Sequence, residues 1–432
     1  MDLSEFRYPG EFEPQTDVFV TWIPDYIGEG DDEDPRVPCV EIIKNLLGHV
    51  NVHVNCGMDT SIERCQAYLA AHGIDSADAD EAGARNTSDT GEGEGFSTKI
   101  HFHKFKDWGF YNRDNGPNVV IDGKGNRVNI LPRWSNYGMN GKMEPAQQLG
   151  RSVGTHMAAA CEIYENVPSD MVSEQGNREY NGRGVMMVVE DTDVRKRNPE
   201  YTKEQIEAEY KKLYGVEKII WLPKPLLEDD DFRMGPMDHL EDGTPVWAGS
   251  FVGHSDEMAR FVTEDTILLA EVTDEEAAET ALDAENKKRL DAAYEVLKNA
   301  TDIDGNPFKI IRVPVAPQVK CRIPNDHPTA LGWKQFFDEI GGKAFDGTPW
   351  PEGDYCFLAA ASYCNFLVCN DVVLGQRYWR PGMDESIREK DERAKAILEQ
   401  VYPDRKVTMI DVYALNLTGG GVHCWTKNIP AA

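Results

Sequence analysis

The pattern of apolar and polar positions divides the chain into short alternating strands and helices. Apolar runs rich in β-branched and aromatic residues predict strands at 18–23, 50–54, 100–105, 185–189, 218–222, 309–313, 356–368 and 407–412. Apolar residues spaced by three and four predict helices at 38–47, 146–165, 202–215, 275–299 and 384–401. This alternation is typical of an α/β fold.

The helix at 202–215 has the clearest boundaries. Thr202 and Gln205 have the spacing of a capping box, and Gly215 follows the last apolar position. A hairpin is predicted after Pro117, with its turn at 122–125 and a returning strand through Ile130.

Size and composition limit the possible functions. A chain of 432 residues is long enough for one large domain or two ordinary ones. No apolar run approaches a membrane span and the N-terminus lacks a signal-peptide pattern, so we expect a soluble, cytoplasmic protein. The formal net charge of −30 argues against nucleic acid and anionic membranes as partners and is compatible with a cationic substrate.

The cysteines and histidines give no clear metal motif. Nine cysteines without a CxxC pair fit a reducing compartment. The small acidic segment 75–95 fails the EF-hand spacing and is predicted to be a surface insertion. His101 and His103 lie on one face of a predicted strand, but no third ligand is nearby in sequence, so a metal site is not predicted.

The C-terminal stretch and a distant His-x-Asp pair are candidates for chemistry. Three glycines, Gly419 to Gly421, permit a close backbone approach and precede Cys424. His254 and Asp256 would point to the same side of an extended segment, whereas His423 would point away from Cys424 and is not assigned as the base. Taken alone, the glycine stretch is typical of a structural turn. The His–Asp pair alone is typical of two hydrogen-bonded residues without a catalytic role.

Six short motifs in the same order give the chain a family resemblance. They are Arg113-Asp114-Asn115-Gly116-Pro117, Glu174-Gln175-Gly176-Asn177, Arg197-Asn198-Pro199 through Trp221-Leu222-Pro223, Gly253-His254-Ser255-Asp256, Ala361-Ser362-Tyr363-Cys364-Asn365-Phe366 and Gly420-Gly421-Val422-His423-Cys424. The chain resembles the agmatine deiminases and the bacterial peptidylarginine deiminases over nearly its whole length.

The resemblance implies a fold and a site. The fold would be a pentein α/β propeller of five ββαβ units around a central active-site pocket. Residues 1–432 would form a single catalytic domain with surface insertions at 75–95 and 226–247. Cys424 would be the nucleophile, His254 the general acid and base, and Asp114 and Asp256 the carboxylates that bind a guanidinium. The substrate would also be contacted by Glu174, Arg113, Asn365, Tyr111 and Gly421.

The resemblance also implies an activity, with several alternatives. The expected reaction is deimination of a small guanidine such as agmatine through an S-alkylthiouronium, without a metal or an organic cofactor. The alternatives are deimination of arginine in peptides or proteins, amidino transfer to an amine, and binding of cationic ligands without turnover. A homodimer is expected from the resemblance. Whether Cys424 is a thiol or a thiolate in the free protein is open at this stage.

Overall fold

The architecture is known from a computed structural model. It describes the chain except for residues 28–32, 75–95, 97–98, 108, 139–143, 231–235, 251, 328–329, 332–333, 335–337, 339–340, 344–346 and 351. The predicted insertion at 75–95 therefore lies outside the described residues. No helix among the described residues is long and apolar enough to cross a membrane.

Four three-stranded sheets repeat one arrangement. Their first two strands are antiparallel, and the third strand is parallel to the second. The sheets are Asn118–Ile121, Arg127–Arg133 and Asn166–Val172; Arg178–Tyr180, Val185–Val189 and Lys218–Leu222; Ala259–Phe261, Thr266–Glu271 and Lys309–Pro314; and Leu367–Cys369, Val372–Arg377 and Lys406–Asp411.

A helix joins the second and third strands of each of these sheets, as a parallel connection requires. The connecting helices are, in the same order, Glu144–Ala160, Lys203–Tyr214, Ala281–Asn299 and Glu385–Val401. The third connection also contains a short helix, Asp274–Ala277. The predicted alternation of strands and helices is confirmed.

A fifth sheet contains strands from both ends of the chain. Gln15–Thr21, Asn51–Asn55 and Ile100–His103 are parallel, and the C-terminal strand Lys427–Pro430 pairs antiparallel with the first of them. Helices Arg36–Leu46 and Ile62–Ala71 make the connections. This sheet therefore has the same antiparallel and parallel pairs as the other four, with one strand added.

A further sheet departs from this arrangement. It contains Asp238–His239, Pro245–Ala248, Tyr355–Leu358 and Lys320–Ile323, in that order. The segment 226–247, expected to be an insertion, contributes two of these strands and the short helix Leu227–Asp230. Its status as an insertion remains a prediction.

Short helical segments and one shared core complete the structure. The short segments are Asn112–Asn115, Tyr413–Asn416 and Val422–Trp425, the 3-10 turns Gln175–Asn177 and Ser255–Glu257, and the π-helical turn Asp191–Arg197. The largest apolar cluster joins Val20, Met187, Leu268 and Leu374, which come from four different sheets. These sheets are therefore fixed relative to one another by common packing.

Two predicted elements are divided in the structure, and the helix predicted at 146–165 ends at Ala160. The predicted helix at 275–299 is interrupted because Thr280 caps a new helix by accepting a hydrogen bond from the N–H of Asp283. The predicted strand at 356–368 is two strands separated by a loop. In that loop the carbonyls of Ser362 and Asn365 accept hydrogen bonds from Gln376 Nε2, so a side chain takes the place of a strand partner.

Candidate active site

The candidate residues occupy equivalent places in the five repeated units. A short segment before the first strand of each three-stranded sheet carries Asp114, Gly176, Asp256 or Asn365. Cys424 lies in the helix Val422–Trp425, directly before the strand that pairs antiparallel in the fifth sheet. The five segments precede equivalent strands and contact one another, so residues far apart in sequence meet at one place.

Gly176 lies at the point where three of the side chains meet. A Cβ atom at this position would be 2.5 Å from His254 Nδ1, 2.9 Å from Asp114 Oδ1 and 3.1 Å from Asp256 Oδ2. The Sγ atom of Cys424 is 3.8 Å from the same Asp256 Oδ2. Cys424, His254, Asp114 and Asp256 are therefore brought together in one buried site.

His254 is fully buried between two acidic side chains. Its Nδ1 is 3.7 Å from Asp114 Oδ1, and its Nε2 is 3.7 Å from Glu174 Oε2. Burial alone would lower the pKa of His254, but the negative charges of Asp114 and Glu174 raise it to about 9. The imidazole is therefore protonated at neutral pH.

The two flanking carboxylates are held by different partners. Asp114 accepts hydrogen bonds from the backbone N–H of Gly176 at 2.9 Å and from the Tyr137 hydroxyl at 3.0 Å. Both oxygens of Glu174 are 2.9 Å from Arg197 Nε. Burial would raise the pKa of Glu174, but Arg197 overcomes this and lowers it to about 2. Glu174 is therefore an anion that keeps His254 charged.

Asn365 positions the thiol of Cys424. Its Nδ2 lies 3.0 Å from Cys424 Sγ and 2.8 Å from Glu257 Oε1, while its Oδ1 accepts a hydrogen bond from the N–H of His423 at 3.0 Å. Burial, followed by the negative charges of Asp256 and Glu257, raises the pKa of Cys424 well above its ordinary value. These contributions favour the thiol of Cys424 over the thiolate.

The glycines before Cys424 lie where side chains would not fit. A Cβ at Gly420 would be 2.6 Å from the ring of Tyr111, and one at Gly421 would be 2.7 Å from Asn365 Oδ1. The Tyr111 hydroxyl and Thr418 Oγ1 are 2.7 Å apart. Tyr111 therefore lies beside residues 418–424, which we call the thiol loop, and the substrate contacts expected of Tyr111 and Gly421 remain a prediction.

Arg113 lies on a different side from the other predicted substrate contacts. Its Nε donates to the carbonyl of His423 at 3.2 Å, and its Nη1 donates to Asn428 Oδ1 at 2.7 Å. It also lines a cavity of about 30 Å³ together with Glu11 and His423. We call this space the rear cavity. Arg113 supports the backbone of the thiol loop from behind.

The structure adds residues that the sequence analysis missed. Glu257 Oε1 is 3.7 Å from Cys424 Sγ, and its only signal in the sequence is its place directly after Asp256. Asp229 Oδ2 accepts a hydrogen bond from the N–H of His254 at 2.7 Å. It escaped notice because it belongs to the segment interpreted as a surface insertion.

The expectation for His423 is wrong in its geometry. We expected an extended loop that turns this side chain away from the site. The residue instead lies in the helix Val422–Trp425, and its Nδ1 is 2.6 Å from Asp256 Oδ2.

Two buried clusters in the described chain contain possible metal ligands. Asp256, Glu257 and Cys424 have ligand atoms within 4.8 Å of one another, as do Asp17, His53 and Cys161. In the second cluster, His53 Nδ1 is 2.8 Å from Nε2 of His103, one of the two histidines noted in the sequence. In the cluster of Asp256, Glu257 and Cys424, a bound guanidinium would interact with the same acidic groups that could bind a metal ion. That no metal is needed remains a prediction.

Comparisons with known proteins give one consistent result. Residues 7–430 match the family described as Porphyromonas-type peptidyl-arginine deiminase. A Selenomonas ruminantium relative is 30% identical over 323 residues, which are 74% of this chain and 73% of its own. The agmatine deiminase of Pseudomonas syringae pv. tomato is 26% identical over 326 residues, 74% of each chain.

Solved structures agree on the fold. The agmatine deiminase of Enterococcus faecalis superposes with a TM-score of 0.70 at 21% identity, covering 100% of this chain and 97% of that one. The mixed α/β fold is thus shared with this enzyme. With a family match over residues 7–430, the chain belongs to the Porphyromonas-type peptidyl-arginine deiminase family.

Proposed function

We propose that the protein is a cysteine hydrolase that deiminates agmatine, a small guanidine with a second cationic end. The observation that carries the proposal is the meeting of Cys424, His254, Asp114 and Asp256 in one buried site around Gly176. The agmatine deiminases among the relatives support the choice of substrate.

A guanidinium is complementary in charge and in shape to the acidic side chains of this site. It is planar and cationic, and each charge-assisted hydrogen bond to a carboxylate contributes roughly 1.5–3 kcal/mol. Asp114 and Asp256 would bind its N–H groups and hold its central carbon beside Cys424 Sγ. The positive charge would also favour the thiolate, which the buried carboxylates disfavour in the empty site.

The first half of the reaction forms a covalent intermediate. When the guanidinium binds, the Cys424 thiol releases its proton to solvent, and the thiolate attacks the central carbon to form a C–S bond. The His254 imidazolium donates its proton to the leaving nitrogen, the C–N bond breaks, and ammonia departs. An S-alkylthiouronium remains on Cys424.

The second half returns the protein to its starting state. Neutral His254 takes a proton from a water molecule while the water oxygen attacks the same carbon. The C–S bond then breaks, the Cys424 thiolate takes the proton from the oxygen of the departing product and becomes a thiol again, and the neutral ureido product is released. His254 is again an imidazolium. The pKa of about 9 suits a group that must donate a proton at neutral pH.

A second acidic space supports a substrate with two positive ends. Glu257, beside Cys424, also lines a cavity of about 10 Å³ with Glu228 and Asp229. Burial raises the pKa of all three carboxyl groups. An ammonium group at the far end of agmatine would favour their ionised forms, whereas an uncharged peptide backbone would not.

We also propose that the five repeated units close into a pentein propeller and that the whole chain is one catalytic domain. The repeated strand order and the equivalent positions of the five site segments support this arrangement. The roles of Glu174, Asn365, Tyr111 and Gly421 are then to shape the pocket. Arg113 would act on the thiol loop without touching the substrate.

A substrate panel tests the proposed function. Ammonia release would be measured with agmatine, free arginine, and an N-acylated, C-amidated arginine, each with and without calcium. We expect turnover with agmatine and little with the blocked arginine. Activity confined to the blocked arginine would instead establish a peptidyl-arginine deiminase, the function that the family description names.

Two controls separate the remaining alternatives. A guanidino product that appears only when an amine acceptor is added would indicate an amidinotransferase. Binding of agmatine without any product would indicate a binding protein. Either result would contradict the proposal.

A further inference from the structure

His423 connects the candidate active site to a buried glutamate behind it. Its Nδ1 lies 2.6 Å from Asp256 Oδ2, and its Nε2 lies 2.7 Å from Glu11 Oε2. The imidazole is 2% exposed, so water does not compete for either contact. Hydrogen bonds to ionised partners are short and strong, as these two are.

The imidazole of His423 has to donate a hydrogen bond from each of its two nitrogens. An ionised carboxylate only accepts hydrogen bonds, and an imidazole that donates from both nitrogens is an imidazolium. Burial would raise the pKa of Asp256, but the contact with His423 lowers it. The pKa of Glu11 is likewise held well below its usual range, against burial, by His423, Arg113 and Arg260. Both carboxyl groups are thus ionised.

Glu11 is fixed from several directions. Its Oε2 is 3.2 Å from Arg113 Nη1, and its Oε1 is 3.1 Å from Arg260 Nη2. Oε1 also accepts a hydrogen bond from the N–H of Val368 at 2.9 Å. A carboxylate held by three groups on different elements can determine the position of the imidazole that it binds.

The two oxygens of Asp256 have different surroundings. His423 occupies Oδ2, whereas Oδ1 is buried and makes no hydrogen bond to any residue that the structure describes. A buried carboxylate oxygen without a partner is costly unless a ligand supplies the donor. The contact at Oδ2 thus fixes the rotation of the carboxylate, and Oδ1 keeps a free hydrogen-bonding capacity among the described residues.

We propose that Glu11 and His423 are positioning residues, which fix the carboxylate of Asp256 in the orientation that binds the substrate guanidinium. This inference rests on the proposed function, because it takes Asp256 as a guanidinium-binding group. Neither residue contacts the reacting atoms in it. Through Asp256, the pair orients the substrate over Cys424 and keeps the carboxylate ionised when the pH falls.

The test uses agmatine binding in the Cys424→Ser protein, which requires no turnover. Calorimetry would measure the dissociation constant from about pH 4 to pH 8, the range in which carboxyl groups titrate, with and without His423→Leu. The other ionisable groups around Asp256 are the same in both proteins, which also share serine at position 424: His254, Arg260, Asp114, Asp229 and Glu257. His239→Leu, at an exposed histidine, is the matched control.

We expect His423→Leu to shift the loss of binding to higher pH by at least about one unit, because Asp256 then loses the cation that lowers its pKa. With Cys424 present, the same change should reduce kcat/KM about 100-fold, the loss expected from a displacement of about 1 Å at a reacting group. An unshifted pH dependence together with kcat/KM within about threefold of the parent would overturn the proposal.

Chemical rescue provides a second readout. Glu11 lines the rear cavity, so Glu11→Ala would leave room there for a small carboxylate. We expect added formate to restore part of the kcat/KM of Glu11→Ala and to leave the parent unchanged. A folded Glu11→Ala protein with parental kcat/KM would contradict the inference. If Glu11→Ala does not fold, Glu11→Gln, which keeps the shape and removes the charge, must show the same shift in binding as His423→Leu.

Failure of the inference differs from failure of the proposed function. If the parent binds and deiminates agmatine while the variants behave like it, only the positioning roles are wrong. If the parent neither binds nor deiminates agmatine, both conclusions are contradicted.

Discussion

At the scale of single residues, the distribution of charge determines when the site can react. The pKa of His254 is raised to about 9 and that of Cys424 is also raised, so both groups carry protons at neutral pH in the empty protein. The proposed attack needs a thiolate and an imidazolium, which together hold one proton fewer than a thiol and an imidazolium. One proton must therefore leave the pair before the reaction.

This requirement predicts an alkaline pH dependence. The kcat/KM for agmatine should rise about tenfold per pH unit as the pH approaches about 9, because the singly deprotonated pair becomes more abundant. Asp114→Asn removes the largest contribution that raises the pKa of His254, so the remaining activity should begin to level off at lower pH.

The control for this pH profile is Asp371→Asn, which neutralises an exposed aspartate. It should leave the profile unchanged. A parental profile that is flat from about pH 6 to pH 9 would contradict the protonation states assigned to Cys424 and His254.

At the scale of the secondary-structure elements, the 3-10 turn Gln175–Asn177 must remain free of a side chain at its centre. Gly176→Ala would place a Cβ 2.5 Å from His254 Nδ1 and 2.9 Å from Asp114 Oδ1. We expect kcat/KM to fall about 100-fold or more, since the groups that bind and protonate the substrate would be displaced.

Gly353→Ala is the matched control for this change. Apart from its chain neighbours, no residue that the structure describes has an atom within 4 Å of a Cβ placed at Gly353, so the kinetics of this variant should match those of the parent. Gly176→Ala with parental kcat/KM and unchanged thermal stability would show that the three side chains do not act together at this point.

How much the sequence predicts also differs between elements. The helix Lys203–Tyr214 was predicted to within one residue because its capping box and C-terminal glycine are local signals. The loop between Leu358 and Leu367 was not, because its hydrogen bonds come from the side chain of Gln376, on the strand Val372–Arg377, instead of from a strand backbone. Local patterns cannot show a partner of that kind.

In the candidate site too, local sequence patterns predict some features and not others. Cys424, His254, Asp114 and Asp256 were selected from motifs, and the structure brings them together. The contacts of His423 with Asp256 and Glu11 join residues more than 160 positions apart in the chain. They also depend on the helix Val422–Trp425, which the run of glycines does not predict.

At the scale of the whole molecule, the net charge should affect how the substrate arrives. A formal charge of −30 attracts a dicationic substrate, and added salt screens that attraction. We expect the kcat/KM for agmatine to decrease as sodium chloride is raised from about 0.01 M to about 0.5 M, with a smaller decrease in kcat.

A monocationic guanidine such as N-propylguanidine provides the comparison, and its kcat/KM should depend less on salt. Equal salt dependence for both substrates would contradict long-range attraction. The homodimer expected from the resemblance remains a prediction, which the molar mass in solution would test.

The central claim is that Cys424 forms a covalent bond with the guanidino carbon. The most direct measurement is mass spectrometry of the protein quenched in acid during turnover of agmatine and then digested. We predict that the peptide containing Cys424 carries the mass of agmatine less ammonia, and that Cys424→Ser carries no adduct and shows no turnover. Steady turnover by Cys424→Ser, or an adduct found only on another cysteine, would contradict the account.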